Sequence, residues 1–392
     1  MIVLTNQNLC NGCHACINIC HLGCIQMKID DEGFWYPRRN DVDCKKCGLC
    51  VNVCPVLQNN GEMVYTEELP KAFACFCNDF SVRLKSSSGG VFTLLAKKVI
   101  SDNGVVYGVR FDQHFNVVHG CVDTIDELEH LRGSKYVQSN IGYTFREVEG
   151  FLKQNRYVLF SGTPCQVAGL KAFLRKDYNN LICIDIICHG VPSPLVWKLY
   201  VSYREEKAEA KTRKVFFRNK DNGWKKYSIK FLFYNEKKYM QTVDNDLFMR
   251  AFLSDICLRP SCYQCNFKSI LRQSDITIAD FWGIQYVAPE MDDDKGTSLV
   301  LLNSCKGLEI FEKIKLELKY SQVDVKTAIK YNPSAIRSSC KNKRRDKFFN
   351  SLNHKRFDNV VNRYCGESIL VTFYRVARLV RSMIRRFIKL FC

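Results

Sequence analysis

The sequence predicts an α+β protein in three parts: a short cysteine-dense module at the N terminus, a larger α/β body with a mixed sheet, and a basic amphipathic helix at the C terminus. Three observations predict it. Two runs of four cysteines with matching spacing open the chain, strand-like apolar runs alternate with Gly-rich turns and helical segments through the middle, and positive charge collects at the end.

Composition bounds the reading. The chain has 392 residues, enough for two or three domains, and its 46% hydrophobic and 25% charged content is that of a soluble globular protein. Its 22 cysteines are far above the usual number. MIVLTNQNLC has neither the charged start nor the apolar stretch of a secretory signal, so a reducing, cytoplasmic setting is expected. There, many cysteines point to metal or redox chemistry rather than disulfides. No apolar run is long enough to suggest a transmembrane helix.

The first part is Cys10-x2-Cys13-x2-Cys16-x3-Cys20, then Cys44-x2-Cys47-x2-Cys50-x3-Cys54 followed by Pro55. Three cysteines two residues apart let one tight loop offer three thiolates to a cubane, and the fourth of each run serves the other cluster. Cys10, Cys13, Cys16 and Cys54 are therefore assigned to one 4Fe-4S cluster, and Cys44, Cys47, Cys50 and Cys20 to a second. A zinc site would use two CxxC pairs, usually farther apart. His21 stands where a proline usually follows the fourth cysteine, and Cys24 reads as a small buried residue.

QNNGEMVYTEELPK then reads as a polar linker. In the body, KSSSGGVFTLLAKKVI is a Ser/Gly turn feeding a helix, NGVVYGVRF a strand and RYVLFSGTPC another. VAGLKAFLRK reads as a helix, LICIDIICHG as a fully apolar strand, and KVFFRNK with YSIKFLFYN as an antiparallel sheet between about Tyr203 and Gln241. Two turns, Ser86–Gly90 and Ser161–Gln166, could offer free backbone N–H groups and a helix dipole to a phosphate, although neither has Rossmann or P-loop spacing and each could be a plain helix start. Cys165, Cys188, Cys257, Cys262 and Cys265 form a scattered third constellation, readable as part of a zinc or iron–sulfur site or as buried structural thiols.

Six motifs carry a family resemblance: KSSSGGVF, RGSKYVQS, LFSGTPCQVAGLKAFL, DIICHGVPSPLVW, LRPSCYQCNFK and SDITIADFWGI. In this order they resemble the beta subunits of the hydrogenase that reduces the deazaflavin coenzyme F420 and of the matching formate dehydrogenases, from about Ala72 to Asn332. The resemblance implies 72–150 and 151–335 as the N- and C-terminal regions of the beta subunit, behind residues 1–60, which the cysteine spacing marks as a dicluster 4Fe-4S ferredoxin domain, and ahead of 336–392, which the charge marks as a basic tail. It implies an FAD and a third 4Fe-4S cluster, with Cys165, Cys188, Cys262 and Cys265 as ligands and Cys257 as a lesser candidate. The flavin site would draw on Ser86, Ser87, Ser88, Gly89, Gly90, Lys135, Gly162 and Thr163, with Asp275 and Asp280 lining the same region or serving as structural salt bridges or caps. Ala279 stands where relatives commonly have Gly. Bacterial relatives, many in organisms without the deazaflavin, are often encoded beside genes for surface-polysaccharide assembly.

The expected function is that of an iron–sulfur flavoprotein oxidoreductase exchanging electrons with ferredoxin or another redox protein, the alternative being a non-enzymatic relay for a partner enzyme. No specific nucleic acid is expected. From Arg337 onward there are 15 Lys and Arg against 3 Asp and Glu. Within residues 369–391, Arg375, Arg378, Arg381, Arg385 and Lys389 recur at helical spacing between apolar positions, so the segment could lie in an anionic membrane surface or pack on the protein's own body.

Overall fold

In the computed structural model, residues 7–58 and 69–366 are described. The N-terminal module carries one hairpin, β1 (Ile25–Ile29) paired antiparallel with β2 (Trp35–Arg39). The body is centred on an eight-stranded sheet among the described residues. It comprises β3 (Lys71–Cys77), β4 (Val105–Phe111), β5 (Val117–Val122), β6 (Val158–Gly162) and β7 (Leu181–Ile186). A three-stranded sheet follows, β8 (Thr212–Asn219), β9 (Ser228–Phe233) and β10 (Lys238–Thr242), before β11 (Ile276–Asp280), β12 (Ser298–Leu302) and β13 (Leu318–Val323) complete the large one.

The large sheet runs β13-β3-β12-β11-β7-β6-β4-β5. Its centre is parallel, with Val105 beside Val158, Val158 beside Leu181 and Ile276 beside Ile184, and its flanking strands pair antiparallel. The mixed sheet is as expected. The crossover helices Thr144–Lys153 and Pro164–Leu174 cover one face with Val105, Tyr107, Val158 and Phe160, while Val91–Ser101 and Cys305–Ile314 cover the other with Val106, Leu159 and Ile184. Successive side chains of a strand point to opposite faces, so strands buried on both must be apolar throughout. That is why VLF and LICI carry no alternation.

The antiparallel sheet begins only at Thr212, because Tyr203 still belongs to the helix Pro194–Ala208. That helix packs Trp197 and Tyr200 against Phe217, Phe231 and Phe248 in an aromatic core, with Trp197 and Phe217 rings 4.8 Å apart. Two further helices, Arg345–Leu352 and Phe357–Cys365, bury Phe348, Phe349, Val360 and Val361 in the same core. The amphipathic segment 369–391 lies outside the described residues. No helix of the described residues is long and apolar enough to cross a membrane.

The cysteine module is bound to the body by polar contacts and a shared core. Arg146 donates to the carbonyls of Asn18 (2.6 Å), Ile17 (3.2 Å) and Cys20 (2.6 Å), and Ala15 and Val53 enter the core beneath the crossover helices. Arg345 forms an ion pair with Glu32, and the Ser193 hydroxyl donates to the Glu32 carbonyl.

Candidate functional site

The duplicated cysteine runs fold alike. Gly12 and His14 in the first and Lys46 and Gly48 in the second all have positive φ (65°, 63°, 55° and 77°), and a short helix follows each, Ala15–Ile19 and Leu49–Asn52. Alternating handedness curls a backbone into a concavity lined by N–H groups, a form that accommodates anions. Gly12 meets this demand without strain, and a Cβ there would stand 2.6 Å from Gln138 Nε2.

The thiols gather in sets. Burial pushes the Cys13 thiol up to about 12, with Cys54 and Cys10 adding anionic repulsion. Burial likewise raises Cys16, which feels Cys13, Cys10, Cys54 and then Cys50. Cys10, Cys13, Cys16 and Cys54 therefore lie together, with Cys50 of the second run beside them. In the second set, Cys20 and Cys50 pack against the same small cluster of Cys16, Ile17 and Ile25. Cys24 is buried, with its sulfur 3.3 Å from that of Cys20, and it also contacts Cys44. Cys47 is exposed.

The third set is assembled from three parts of the body. Cys165 lies in the first turn of the helix Pro164–Leu174, Cys188 just beyond β7, and Cys262 and Cys265 in and after the turn Pro260–Gln264. Burial drives Cys165 well above its ordinary range, and the thiols that interact with it are Cys265, Cys188 and Cys262. Burial also raises Cys188, which Lys268 partly offsets, and pushes Cys262 up to about 12. The backbone N–H of Val191 faces Cys262 Sγ at 3.5 Å, and Thr163 Oγ1 lies 3.1 Å from Cys165 Sγ. Cys257 separates from this set and lies near Cys365 instead.

Among the described residues, no three His, Cys, Asp or Glu side chains close on a single metal ion. Iron–sulfur clusters are held by four cysteine thiolates, and Cys165, Cys188, Cys262 and Cys265 supply four that interact with one another. The donors fit iron–sulfur clusters in a second respect. His14, held near 3 by burial and by the Arg259 charge, is a neutral imidazole whose two ring nitrogens are buried without a protein partner beside Cys13. A neutral imidazole always carries one N–H donor, and a sulfur-rich anion is an acceptor for it.

Next to the third set opens a cavity of about 600 Å³ at the C-terminal ends of the parallel strands, where α/β sheets place their ligands. Ser86, Ser87, Ser88, Gly90, Lys135, Gly162 and Thr163 line it, as does Cys188. Gly89 does not. Its N–H donates to Ser298 Oγ at 2.9 Å, and a Cβ would stand 2.3 Å from the Cys75 carbonyl, so it lets the turn press onto the sheet from behind. Asp280 lines the cavity, but Asp275 is a structural tie, accepting from the Cys183 N–H and the Ser304 hydroxyl, each at 2.7 Å.

The two Gly-containing turns differ in what they can offer an anion. The Thr163 N–H is taken by Gln166 Oε1 at 2.9 Å, and Pro164 has no N–H. The helix Val91–Ser101 starts instead from Gly90 in left-handed conformation (φ 93°) with no side chain capping it. Its first residues, Val91 and Phe92, line the cavity, at the end of the helix whose dipole favours an anion. The Lys135 ammonium is tied to the carbonyls of His130, Arg132 and Gly133 at 3.0–3.2 Å, and burial lowers it to about 7.

Sequence reasoning missed the cavity's far wall. Arg218 of β8 donates to Asp280 at 2.9 Å and lies 3.8 Å above the Tyr227 ring, yet its buried Nε has no protein partner. Trp282 stacks on Trp224 at 4.9 Å. Lys220, lowered to about 7 by burial, donates to the carbonyls of Arg83 and Ser88 and so fixes the serine turn. Nothing in the run KVFFRNK marks Arg218, near the end of β8, or Lys220, just past it, as facing inward.

The fold and gathered thiols define a ferredoxin-type module joined to an α/β redox domain, and comparison with known proteins agrees. Residues 9–57 match the 4Fe-4S dicluster domain, and residues 155–327 match the family described as the C terminus of the beta subunit of coenzyme F420 hydrogenase/dehydrogenase. The chain is thus similar, over residues 155–327, to the C-terminal domain of that beta-subunit family, behind a stretch similar to a dicluster iron–sulfur domain. Among solved structures, a chain of the F420-reducing nickel–iron hydrogenase complex from Methanosarcina barkeri, studied by xenon derivatization, is 16% identical. The match covers 70% of this chain and 92% of that one, with a TM-score of 0.47. No curated protein matches the chain.

Proposed function

We propose that the chain is an iron–sulfur flavoprotein oxidoreductase that passes electrons between ferredoxin-type clusters and a flavin that reduces or oxidises an organic substrate. The observation that carries this reading is that Cys188, one of four mutually interacting thiols, lines the same cavity as the Ser86–Gly90 turn. Cys10, Cys13, Cys16 and Cys54 would hold one 4Fe-4S cluster, Cys44, Cys47, Cys50 and Cys20 a second, and Cys165, Cys188, Cys262 and Cys265 a third.

An FAD would fit the cavity with its phosphates at the amides that open the helix Val91–Ser101. A bound flavin supplies the conversion between electron pairs and single electrons that clusters alone lack. Around it, the protein's own groups have separable tasks. Lys220 holds the serine turn in place through the Ser88 carbonyl (2.8 Å), and Lys135 braces the opposite loop. Arg218 lines the cavity and holds the Asp280 carboxylate there through a 2.9 Å bond, while Tyr136, Tyr227 and Trp282 form walls that displace water.

Ferredoxin or a comparable carrier would exchange electrons at the cysteine module. In the surface-polysaccharide setting of the bacterial relatives, the substrate would be a sugar-derived or lipid-linked intermediate. Residues 369–391 would then hold a cytoplasmic protein at the inner membrane face, where such intermediates lie. Iron, sulfide and flavin quantitation on one anaerobic preparation tests the reading. About twelve irons, as three four-iron clusters require, with one flavin per chain supports it. About eight irons without flavin would instead make the chain an electron relay for a partner enzyme.

A further inference from the structure

Arg259 is fully buried, and among the described residues it forms no ion pair. Its guanidinium donates only to neutral acceptors: Nε to the Cys10 carbonyl at 2.7 Å, Nη1 to Gln138 Oε1 at 3.0 Å, and Nη2 to the Trp35 carbonyl at 2.9 Å. The Tyr36 ring lies 4.2 Å from it. Its main chain belongs to the other side of the junction, where the Cys262 N–H donates to the Arg259 carbonyl at 2.9 Å and the Arg259 N–H to the Val191 carbonyl at 3.0 Å. One residue therefore touches the loop of Cys10 and the turn of Cys262.

A buried cation without an acidic partner is costly unless another anion stands nearby. Four thiolates make any cubane they hold net anionic, and Arg259 lies between two such groups of thiols. A second, independent contact joins the same two groups. Gly169, one helical turn beyond Cys165, packs against Cys13 so tightly that a Cβ there would lie 3.0 Å from the Cys13 sulfur.

The geometry points to Arg259 as the positioning residue that couples the set of Cys10, Cys13, Cys16 and Cys54 to the set of Cys165, Cys188, Cys262 and Cys265, its buried positive charge holding the reduction potentials of both up. This rests on the reading that both sets carry 4Fe-4S clusters. Adding an electron to an anionic cluster is easier beside a fixed cation, and net charge and hydrogen bonding are among the factors that set cluster potentials. The route into the body then passes through the first set, and the set containing Cys47 is the outer one.

The test uses the full chain, purified anaerobically, as wild type, Arg259→Met and Arg259→Lys. Each is followed by iron quantitation and an electron-paramagnetic-resonance redox titration. The expected result is wild-type iron in all three, midpoints of two clusters shifted to more negative potential in Arg259→Met, and recovery towards wild type in Arg259→Lys. Loss of iron in the methionine variant with recovery of both iron and potentials in the lysine variant also supports a charge role. Full iron with unchanged potentials in Arg259→Met overturns the proposal. Iron loss in both variants overturns it too, since shape rather than charge would then be what the site needs. A wild-type chain lacking iron would instead defeat the cluster reading itself, which separates the two failures.

Discussion

Gly169 and Cys13 meet at the seam between the cysteine module and the body: a Cβ on Gly169 would stand 2.9 Å from the Cys13 Cβ. A glycine inside a helix costs about 1 kcal/mol relative to alanine, so the helix Pro164–Leu174 gives up stability for this approach. Gly169→Val would force the seam apart. It should destabilise the chain by about 1–3 kcal/mol, as overpacking does. Iron bound at the first set should fall with it. Urea denaturation and iron analysis on the same sample check this, and a variant with wild-type values for both would refute the close contact.

The flavin reading makes a separate demand on Arg218. Replacing it with Met removes a cavity-lining cation and its bond to Asp280, leaving the thiols untouched. Hydrogen bonds to a charged group contribute about 1.5–3 kcal/mol, so bound flavin affinity should fall roughly tenfold or more. Iron content should stay at the wild-type level. Flavin fluorescence after denaturation, set against iron per chain, distinguishes loss of the ligand from loss of the fold.

Stability should also depend on pH through Lys220. Burial lowers its pKa from 10.5 to about 7. Between those values the unfolded chain keeps a proton that the folded chain has released, so this group makes stability rise with pH above about 7. Below 7 both states are protonated and its contribution is flat. Lys220→Met should therefore show a smaller gain in urea midpoint from pH 7 to pH 9 than the wild type. An identical gain would mean that the ammonium is solvated in the folded protein.

The aromatic core behind the cavity sets the scale of global stability. Trp197 is buried against Phe217, Phe231 and Phe248, and its indole N–H donates to the Phe115 carbonyl at 2.8 Å. Trp197→Ala should cost about 3–5 kcal/mol, as large-to-small changes of buried aromatics do. Chemical denaturation followed by far-UV circular dichroism measures it.

What could be read beforehand follows from the range of the interactions. The two cysteine runs were legible because ligand spacing within a loop is local, and the parallel strands because burial on both faces writes an unbroken apolar run. Gly89 is expected at the flavin site and Asp275 either there or in a structural tie, because motif membership does not say which way a residue faces, and the sheet claims both. Arg259 could not be read at all. Its side-chain bond to Cys10 spans 249 positions, and nothing in LRPSCYQC marks that arginine as reaching back to the N-terminal module.

The burial of the thiols is graded, from Cys16 and Cys54 inside to Cys47 at the surface. Exposure of a cluster to dissolved oxygen follows the same gradient, so air would strip the outer iron first and the inner iron last. On the proposed function, a preparation handled aerobically would thus keep colour from its inner clusters while losing the outer one at which a carrier would exchange electrons, and would be mistaken for an inert protein.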